Sequence, residues 1–204
     1  DVISTKGLTA SYCNSCYYKD IRLMTWYWLF TTSKIIELGD TMFIVLRKQK
    51  LINLHWIHHS LTLIFAWFAY SDMPSTARWM VNINFFIHSI MYSYYAIVSI
   101  KLFKIPTSIA FSITSIQLFQ MVFGFAIHLH SLIRKLEGQR CDLDLSVAFT
   151  GIFMFLIHFI LFLNYFINNY CNLLFHKVKM SMTFDSKSQI NSKSKGNLND
   201  KKLN

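Results

Sequence analysis

Residues 79–100 read WMVNINFFIHSIMYSYYAIVSI, an uninterrupted stretch of 22 residues without Asp, Glu, Lys or Arg. A helix needs about 20 mainly apolar residues to cross the hydrocarbon core of a bilayer. Four further stretches are long and mainly apolar, at residues 24–46, 52–70, 107–130 and 146–175. Only helices and closed barrels satisfy their backbone groups in lipid, and long runs without alternation are helical. The sequence therefore predicts an all-α polytopic membrane protein with five transmembrane helices.

The composition excludes several classes of protein. Of the 204 residues, 53% are hydrophobic and 15% are charged, whereas a soluble domain carries roughly 25% charged residues. So much apolar surface excludes a disordered chain and a soluble domain with a single core. The net charge is +10, but the basic residues lie between apolar runs, which argues against nucleic-acid binding. Four cysteines are too few for a disulfide scaffold.

The charges in the loops predict the orientation of the chain. Basic side chains gather at 47–50, at 101–106 and after residue 176, whereas the alternate loops at 71–78 and 133–145 mix both signs. Because loops rich in Lys and Arg stay in the cytosol, we expect the C-terminus in the cytosol. The N-terminal segment is then expected on the lumenal or outer side.

The composition changes near residue 180. Residues 1–179 form the predicted membrane domain, and residues 180–204 form a tail rich in Ser, Asn and Lys that we expect to be disordered. Lys201 and Lys202 resemble a dilysine retrieval signal of the endoplasmic reticulum, with a solvated basic tail as the alternative. Because the chain starts at Asp1 without an initiator Met or a signal-peptide pattern, we expect it to be N-terminally incomplete.

Polar side chains recur at helical spacing in the first four predicted spans. An ionisable side chain at the membrane centre costs roughly 2.5–3.5 kcal/mol, so such residues are candidates for a functional site. The four stripes consist of Lys34, Glu37, Asp40 and Thr41; of His55, His58 and His59; of Asn84, His88, Met91, Tyr92, Tyr94 and Tyr95; and of Thr114, Gln117 and Gln120. If all four stripes face inward, they form a polar chamber inside the helix bundle.

Each stripe also has a structural interpretation. A Lys34–Glu37 ion pair can serve only to fix the register of two helices, tyrosines gather at membrane interfaces, and glutamines hold helices together. Three further histidines stand apart from the stripes. We interpret His128, His130 and His158 as structural or interfacial.

The histidine box His55-x-x-His58-His59 places three imidazoles on one helix face. Neutral imidazole near pH 7 acts as a base, a nucleophile or a metal ligand. Membrane di-iron desaturases and hydroxylases also contain an HxxHH box, but they need several of them. The chain has 8 histidines and one such box, so the number permits two irons while the placement opposes them. A lipid-binding protein without catalytic activity is a further alternative.

Four motifs resemble the signature of one family. They are KIIELGDT at 34–41, LHWIHH at 54–59, HSIMYSYY at 88–95 and TSIQLFQ at 114–120. In this order they resemble the ELO family of very-long-chain fatty acid elongases, the 3-oxoacyl-CoA synthases. The stretch from 37 to 51 is similar to the subgroup that elongates saturated and monounsaturated acyl-CoAs.

The resemblance implies a reaction and a set of catalytic residues. Long-chain acyl-CoA and malonyl-CoA condense to 3-oxoacyl-CoA, CO2 and free CoA, the first step of fatty acid elongation. The family places the nucleophile at His58, which carries the acyl group as an acyl-imidazole. His88 and Asn84 are expected to position the malonyl thioester and stabilise its enolate. His55 and His59 are expected to orient neighbouring groups.

The resemblance also implies a substrate-binding set but no metal and no cofactor, because acyl-CoA and malonyl-CoA are substrates. Lys34 and Arg47 are expected to hold CoA near the cytosolic mouth. The closed lumenal end of the channel is expected to measure acyl length. The implied substrate-binding residues are Lys34, Glu37, Asp40, Arg47, Tyr92, Tyr94, Thr114, Gln117 and Gln120.

The fold and the surroundings follow from the same resemblance. The family fold resembles seven helices of which six surround a substrate tunnel, so this chain lacks the two N-terminal ones. A lumenal disulfide between Cys13 and Cys141 is implied, with Cys16 as a substitute for Cys13, while Cys171 is expected to stay reduced. The implied location is the endoplasmic reticulum bilayer. The implied partners are the ketoacyl-CoA reductase, dehydratase and enoyl-CoA reductase of the cycle and a second copy as a homodimer, with no nucleic acid.

Overall fold

The structure is a computed structural model that describes residues 2–49, 51–100 and 105–171. Within these ranges all regular secondary structure is helical, as predicted. The α-helices are α1 Val2–Cys13, α2 Ile21–Leu46, α3 Asn53–Asp72, α4 Ala77–Ile100, α5 Thr107–Leu136 and α6 Leu145–Phe166. A short 3-10 helix, Cys16–Lys19, precedes α2, and a π-helix, Ile167–Cys171, follows α6.

Three of the helical segments are long and apolar enough to cross a membrane by length and composition, which makes the chain a polytopic membrane protein. They are Ala77–Ile100, Thr107–Leu136 and Leu145–Cys171. The predicted spans at 24–46 and 52–70 are also helices, of 26 and 20 residues. They fall short in apolarity because the first contains the ionisable stripe and the second contains the histidine box. In the described ranges, length and composition therefore support three of the five predicted spans.

The chain divides into two compact units, residues 1–163 and residues 164–204. The first unit contains helices α1 to α5 and most of α6. In the second unit the structure describes only residues 164–171. The predicted tail at 180–204, with its dilysine-type ending, lies outside the described residues.

Helix α2 begins with a side-chain cap. The Asp20 carboxylate accepts a hydrogen bond of 3.0 Å from the backbone N–H of Arg22, which satisfies one of the free donors of the first turn. The Arg22 guanidinium also donates to this carboxylate and holds the pKa of Asp20 below its usual value of 3.8. The cap thus fixes the point where the chain enters the helix.

The connections α1–α2, α3–α4 and α5–α6 meet at one end of the first unit. Cys13 and Cys141 form a disulfide with an S–S distance of 2.14 Å. The Asp142 backbone N–H donates to the Cys13 carbonyl and the Ser75 N–H donates to the Asp142 carbonyl, both at 2.9 Å. The two loops that the charge pattern assigns to one side of the membrane are therefore hydrogen-bonded to each other.

Tyr17 ties the segment before α2 to the same end. Its hydroxyl donates a 2.8 Å hydrogen bond to the carbonyl of Pro74 in the α3–α4 connection. Burial raises the pKa of Tyr17, so the hydroxyl remains a donor at neutral pH. The connection itself turns at Met73, whose φ of 46° ends α3 in the left-handed region.

Helices α5 and α6 approach each other closely at two glycines. A Cβ atom added to Gly124 would overlap the ring of Phe155, and one added to Gly151 would lie 2.5 Å from Cδ2 of His128. Small residues at a helix interface let two backbones pack tightly in a membrane. The absence of a side chain at both positions thus leaves room for two rings that line the cavity described below.

Candidate active site

An elongated cavity lies among α2, α3, α4, α5 and α6. The empty space between its walls amounts to about 630 Å³ when space open to the outside is included. Most of its wall is apolar, with Phe65, Met80, Met121 and Phe155 along its length. Such a wall suits a hydrocarbon chain.

The cavity has a polar end and a tethered end. His58, Asn84, Gln120 and His158, each from a different helix, lie at the polar end. Ala69, Pro74 and Thr76 belong to the end that the disulfide and the loop hydrogen bonds hold together. Along α3, the eleven residues from His58 to Ala69 span about 16 Å at 1.5 Å per residue. The cavity therefore extends from a group of polar side chains into an apolar space.

A buried ion pair lies directly beside the polar end. Lys34 and Glu37 are one helical turn apart on α2, and Nζ lies 2.6 Å from Oε1. Their side chains are only 2% and 10% exposed. Lys34 Nζ also donates to Asn84 Oδ1 of α4 at 2.7 Å and lies 4.4 Å from the centre of the Phe30 ring. The pair links two helices that both contribute to the cavity.

Glu37 is the centre of this network. Its Oε2 lies 3.5 Å from Nδ1 of His59 on α3, and its Oε1 lies 3.7 Å from Nδ1 of His88 on α4. The Ser33 hydroxyl donates to the same carboxylate at 3.4 Å. One carboxylate thus faces two imidazole rings from two helices, and neither its Oε2 nor the Nδ1 of His88 has a hydrogen-bond partner among the described residues.

The orientation of the Asn84 amide follows from its partner. A lysine ammonium can only donate, so the Asn84 atom facing Lys34 must be the carbonyl oxygen. The amide nitrogen of Asn84 and its two hydrogens are then left for the cavity that this residue lines. Asn84 can therefore donate hydrogen bonds to a bound oxygen atom.

His58 is surrounded by rings at the polar end. Its side chain lies among His59, His158 and Phe162, with ring centroids at 5.3, 4.5 and 5.3 Å. The residue is 8% exposed, and its Nδ1 has no hydrogen-bond partner among the described residues. The remaining ring nitrogen, Nε2, is the one that can meet a ligand in the cavity. His55 extends the cluster, since its ring centroid lies 4.6 Å from that of His59.

Asp40, Tyr92 and Tyr94 belong to the predicted substrate-binding set, and two of them lie near His88. The Tyr92 hydroxyl donates to Asp40 Oδ2 at 2.7 Å, and the Tyr92 ring lies 5.7 Å from the His88 ring. Tyr94 contacts the exposed Tyr95, with ring centroids 5.9 Å apart. Asp40 and Tyr92 therefore join the network indirectly, whereas Tyr94 lies outside it.

One of the three residues in the fourth stripe lines the cavity. Gln120 is buried and lines it. Thr114 is buried and donates to the Ala110 carbonyl of its own helix at 3.0 Å, and Gln117 Nε2 lies 3.3 Å from Sδ of Met91. Gln117 thus connects α5 to α4, as the structural interpretation of this stripe expects.

Lys34 differs from its expected position. The resemblance places it with Arg47 near the cytosolic mouth, where both would hold CoA. In the structure Lys34 is buried and its ammonium faces Glu37 and Asn84. Arg47 is exposed at the end of α2, thirteen residues or about 20 Å further along the helix. The apolar surroundings of Lys34 account for the difference, because a buried charge needs a paired partner.

Two histidines interpreted as structural also line the cavity. His128 fits that interpretation, because its Nδ1 lies 2.9 Å from the Gly124 carbonyl and its Nε2 lies 3.5 Å from Thr76 Oγ1. His158, also interpreted as structural or interfacial, stands alone in its helix but its ring contacts that of His58 on α3. Its position as an ionisable group within the apolar helix α6 was a signal that could have identified it.

The described ranges contain no group of three or more His, Cys, Asp or Glu side chains arranged to hold a metal ion. Around His58 the neighbouring imidazoles contact one another through ring faces and edges. The carboxylate of Glu37 is already engaged with Lys34. The arrangement is one of imidazole rings in edge-to-face or tilted contact beside an apolar cavity.

Comparisons with known proteins agree with the four motifs. The profile of the GNS1/SUR4 (ELO) family matches residues 1–177. "Long chain fatty acid elongase 1" of Caenorhabditis elegans is 39% identical over 169 residues, which cover 82% of this chain and 58% of the relative. "Very long chain fatty acid elongase 6" of Drosophila melanogaster is 41% identical over 172 residues, covering 83% of this chain and 54% of the relative.

The human protein named "Very long chain fatty acid elongase 6" is 36% identical over 169 residues, covering 83% of this chain and 63% of the relative. This chain therefore spans only about half to three fifths of the length of these relatives. No solved structure matches it. The family profile nevertheless extends over most of the chain and includes all four motifs. The chain belongs to the ELO family.

Proposed function

We propose that this chain contains the condensing centre of a fatty acid elongase. The reaction joins a long-chain acyl-CoA to malonyl-CoA and yields 3-oxoacyl-CoA, CO2 and free CoA. The observation that carries the proposal is the position of His58, a buried imidazole at the polar end of a deep apolar cavity. The names of the relatives, long-chain and very-long-chain fatty acid elongases, support it.

In the first half-reaction His58 takes the acyl group. Its Nε2 attacks the thioester carbonyl, the C–S bond breaks, and CoA leaves as the thiol after the imidazole loses its proton. The apolar wall receives the hydrocarbon chain, and burying each CH2 group contributes roughly 0.8 kcal/mol. An acyl-imidazole remains a reactive acyl donor, so the second half-reaction needs no further activation.

In the second half-reaction malonyl-CoA loses CO2, and the resulting carbanion attacks the acyl carbon on His58. The C–N bond breaks and the imidazole is restored. The free amide hydrogens of Asn84 are available to stabilise the enolate oxygen of the malonyl thioester. His88, which faces Glu37, would position the same thioester. His59 and His55, whose rings are in contact, would orient the neighbouring groups.

The finer assignments belong to the same proposal. Exposed Arg47 suits CoA phosphates at the cytosolic mouth, and Tyr94, Thr114 and Gln117 would lie along the path of the substrate. The proposal includes five spans of a seven-helix fold, a location in the endoplasmic reticulum, and the saturated and monounsaturated substrate subgroup. Family membership and the loop charges support these assignments. The reductases and dehydratase of the cycle would take the product.

The proposal predicts a covalent acyl group on one histidine. Purified protein is incubated with palmitoyl-CoA, quenched and digested, and peptides are examined by mass spectrometry alongside a radiolabelled malonyl-CoA incorporation assay. His58→Ala should lose both the adduct and turnover. His130→Ala is the matched control, because His130 is exposed and its one hydrogen bond within the described ranges is to Tyr12. Turnover by His58→Ala close to that of the control would refute the assignment.

A further inference from the structure

His158 of α6 is one of the histidines that lie outside the four motifs. It is 1% exposed, and its ring centroid lies 4.5 Å from that of His58, at an interplanar angle of 63°. Phe162, one turn later, contacts the same His58 ring. Helix α6 therefore presents both an imidazole and a phenyl ring to the proposed nucleophile.

Each of the two rings has one nitrogen without a partner. Nδ1 of His58 and Nε2 of His158 are both fully buried and have no hydrogen bond to any described residue, including each other, although the ring centroids are only 4.5 Å apart. His128 is a useful contrast, because it is equally buried in the same cavity but both of its nitrogens have partners. A buried polar atom without a partner costs free energy. Packing alone would be served better by a second phenylalanine at position 158.

We propose that His158 is the proton acceptor for His58 during acyl transfer, an inference that rests on the proposed function. When Nε2 of His58 attacks the thioester and the C–S bond breaks, the ring becomes a cationic acyl-imidazolium and CoA leaves as a thiolate. The Nδ1 proton then passes to Nε2 of His158, which leaves a neutral acyl-imidazole. His158 returns this proton to the thiolate, so that free CoA departs as the thiol.

The surroundings of His58 favour His158 over other acceptors. Glu37 faces Lys34, His59 and His88, and it forms no ion pair with His58 among the described residues. The His59 ring is further from His58, at 5.3 Å, and His59 does not line the cavity. His158 both lines the cavity and contacts the reacting ring. His158 carries the proton only until the thiolate takes it, so no cation remains in the apolar space once CoA leaves as the thiol.

The test isolates the first half-reaction. Purified protein is mixed with palmitoyl-CoA without malonyl-CoA, and the rates of CoA release and of adduct formation on His58 are followed by rapid quench. His158→Phe retains a ring but removes both nitrogens, and should slow loading by about 100-fold. Phe162→Leu, which alters packing on His58 without removing a base, should slow loading less than tenfold.

Chemical rescue separates proton transfer from packing. His158→Ala leaves space for a small ring, and added imidazole should raise its loading rate at least tenfold while leaving His158→Phe unchanged. If His158→Phe loads at the wild-type rate, or if imidazole does not rescue His158→Ala, His158 is not the proton acceptor although the proposed function stands. If wild-type protein forms no adduct on His58, both the inference and the proposed nucleophile fail.

Discussion

The buried Lys34–Glu37 pair gives the most direct test of how the polar end is held. Lys34→Met removes the ammonium and leaves the Glu37 carboxylate, 10% exposed, without its closest partner. Removing one member of a buried pair costs about 3–5 kcal/mol, because the other charge is left unpaired. For a chain of this size each kcal/mol lowers the unfolding midpoint by roughly 2–4 °C. We therefore expect a loss of about 6–20 °C.

The double variant Lys34→Met, Glu37→Gln removes both charges and should recover most of that loss, because no unpaired charge remains. Its turnover should stay low, since His59 and His88 lose the carboxylate that faces their Nδ1 atoms. Stability and activity should thus separate in the double variant.

The matched control is Arg22→Met. Arg22 also pairs with a carboxylate, at 3.3 Å from Asp20, but its side chain is 84% exposed. Solvent screens such a pair, so the unfolding midpoint should change little. The assay is thermal unfolding in detergent, with malonyl-CoA incorporation measured on the same preparations. Equal midpoints for Lys34→Met and Arg22→Met would refute the assignment of a buried, paired charge.

Three further predictions concern the disulfide, the contact between α5 and α6, and the start of α6. Reducing the Cys13–Cys141 disulfide, which bridges a sequence separation of 128, should destabilise the protein by about 2–5 kcal/mol, seen as a lower unfolding midpoint that Cys141→Ser reproduces. Gly124→Ala should push the Phe155 ring into the cavity and shift the products toward shorter chains, measured by chromatography of chain lengths. Hydrogen bonds at the start of α6 lower the pKa of Asp144. The stability that the ionised Asp144 carboxylate contributes is therefore present above its unfolded pKa of 3.8 and is lost as the pH falls through the lower native pKa. Acid titration should destabilise wild type more than Asp144→Asn.

Most helices could be predicted because their signal is local. Apolar runs of about 20 residues identify a membrane helix without knowledge of its neighbours, and the predicted segments 79–100 and 107–130 lie within α4 and α5. Helix α1 could not be predicted this way. It contains Gly7 at a φ of 79° and is held by tertiary contacts, the disulfide at Cys13 and the Trp79–Ser11 hydrogen bond of 2.9 Å. Such contacts leave no periodic pattern in the sequence.

The candidate site could be predicted within helices but not between them. The i, i+3 spacing of Lys34 and Glu37 predicts their ion pair, and the structure contains it. That Lys34 also binds Asn84 on α4, and that His158 contacts His58, depend on which helix faces which. Helical spacing does not encode this, so His158 could be identified only by the cost of an ionisable group in an apolar helix.

The two ends of the cavity are held by different kinds of interaction, and this difference bears on substrate length. At the polar end a network of charges and imidazoles fixes α2, α3 and α4 around His58. At the other end covalent and backbone bonds fix the connections, including Pro74 in the cavity wall. Rigid helices set the distance between the ends. We therefore expect variants of the network to change the rate of reaction, whereas variants of the tethered end change which chain lengths are accepted.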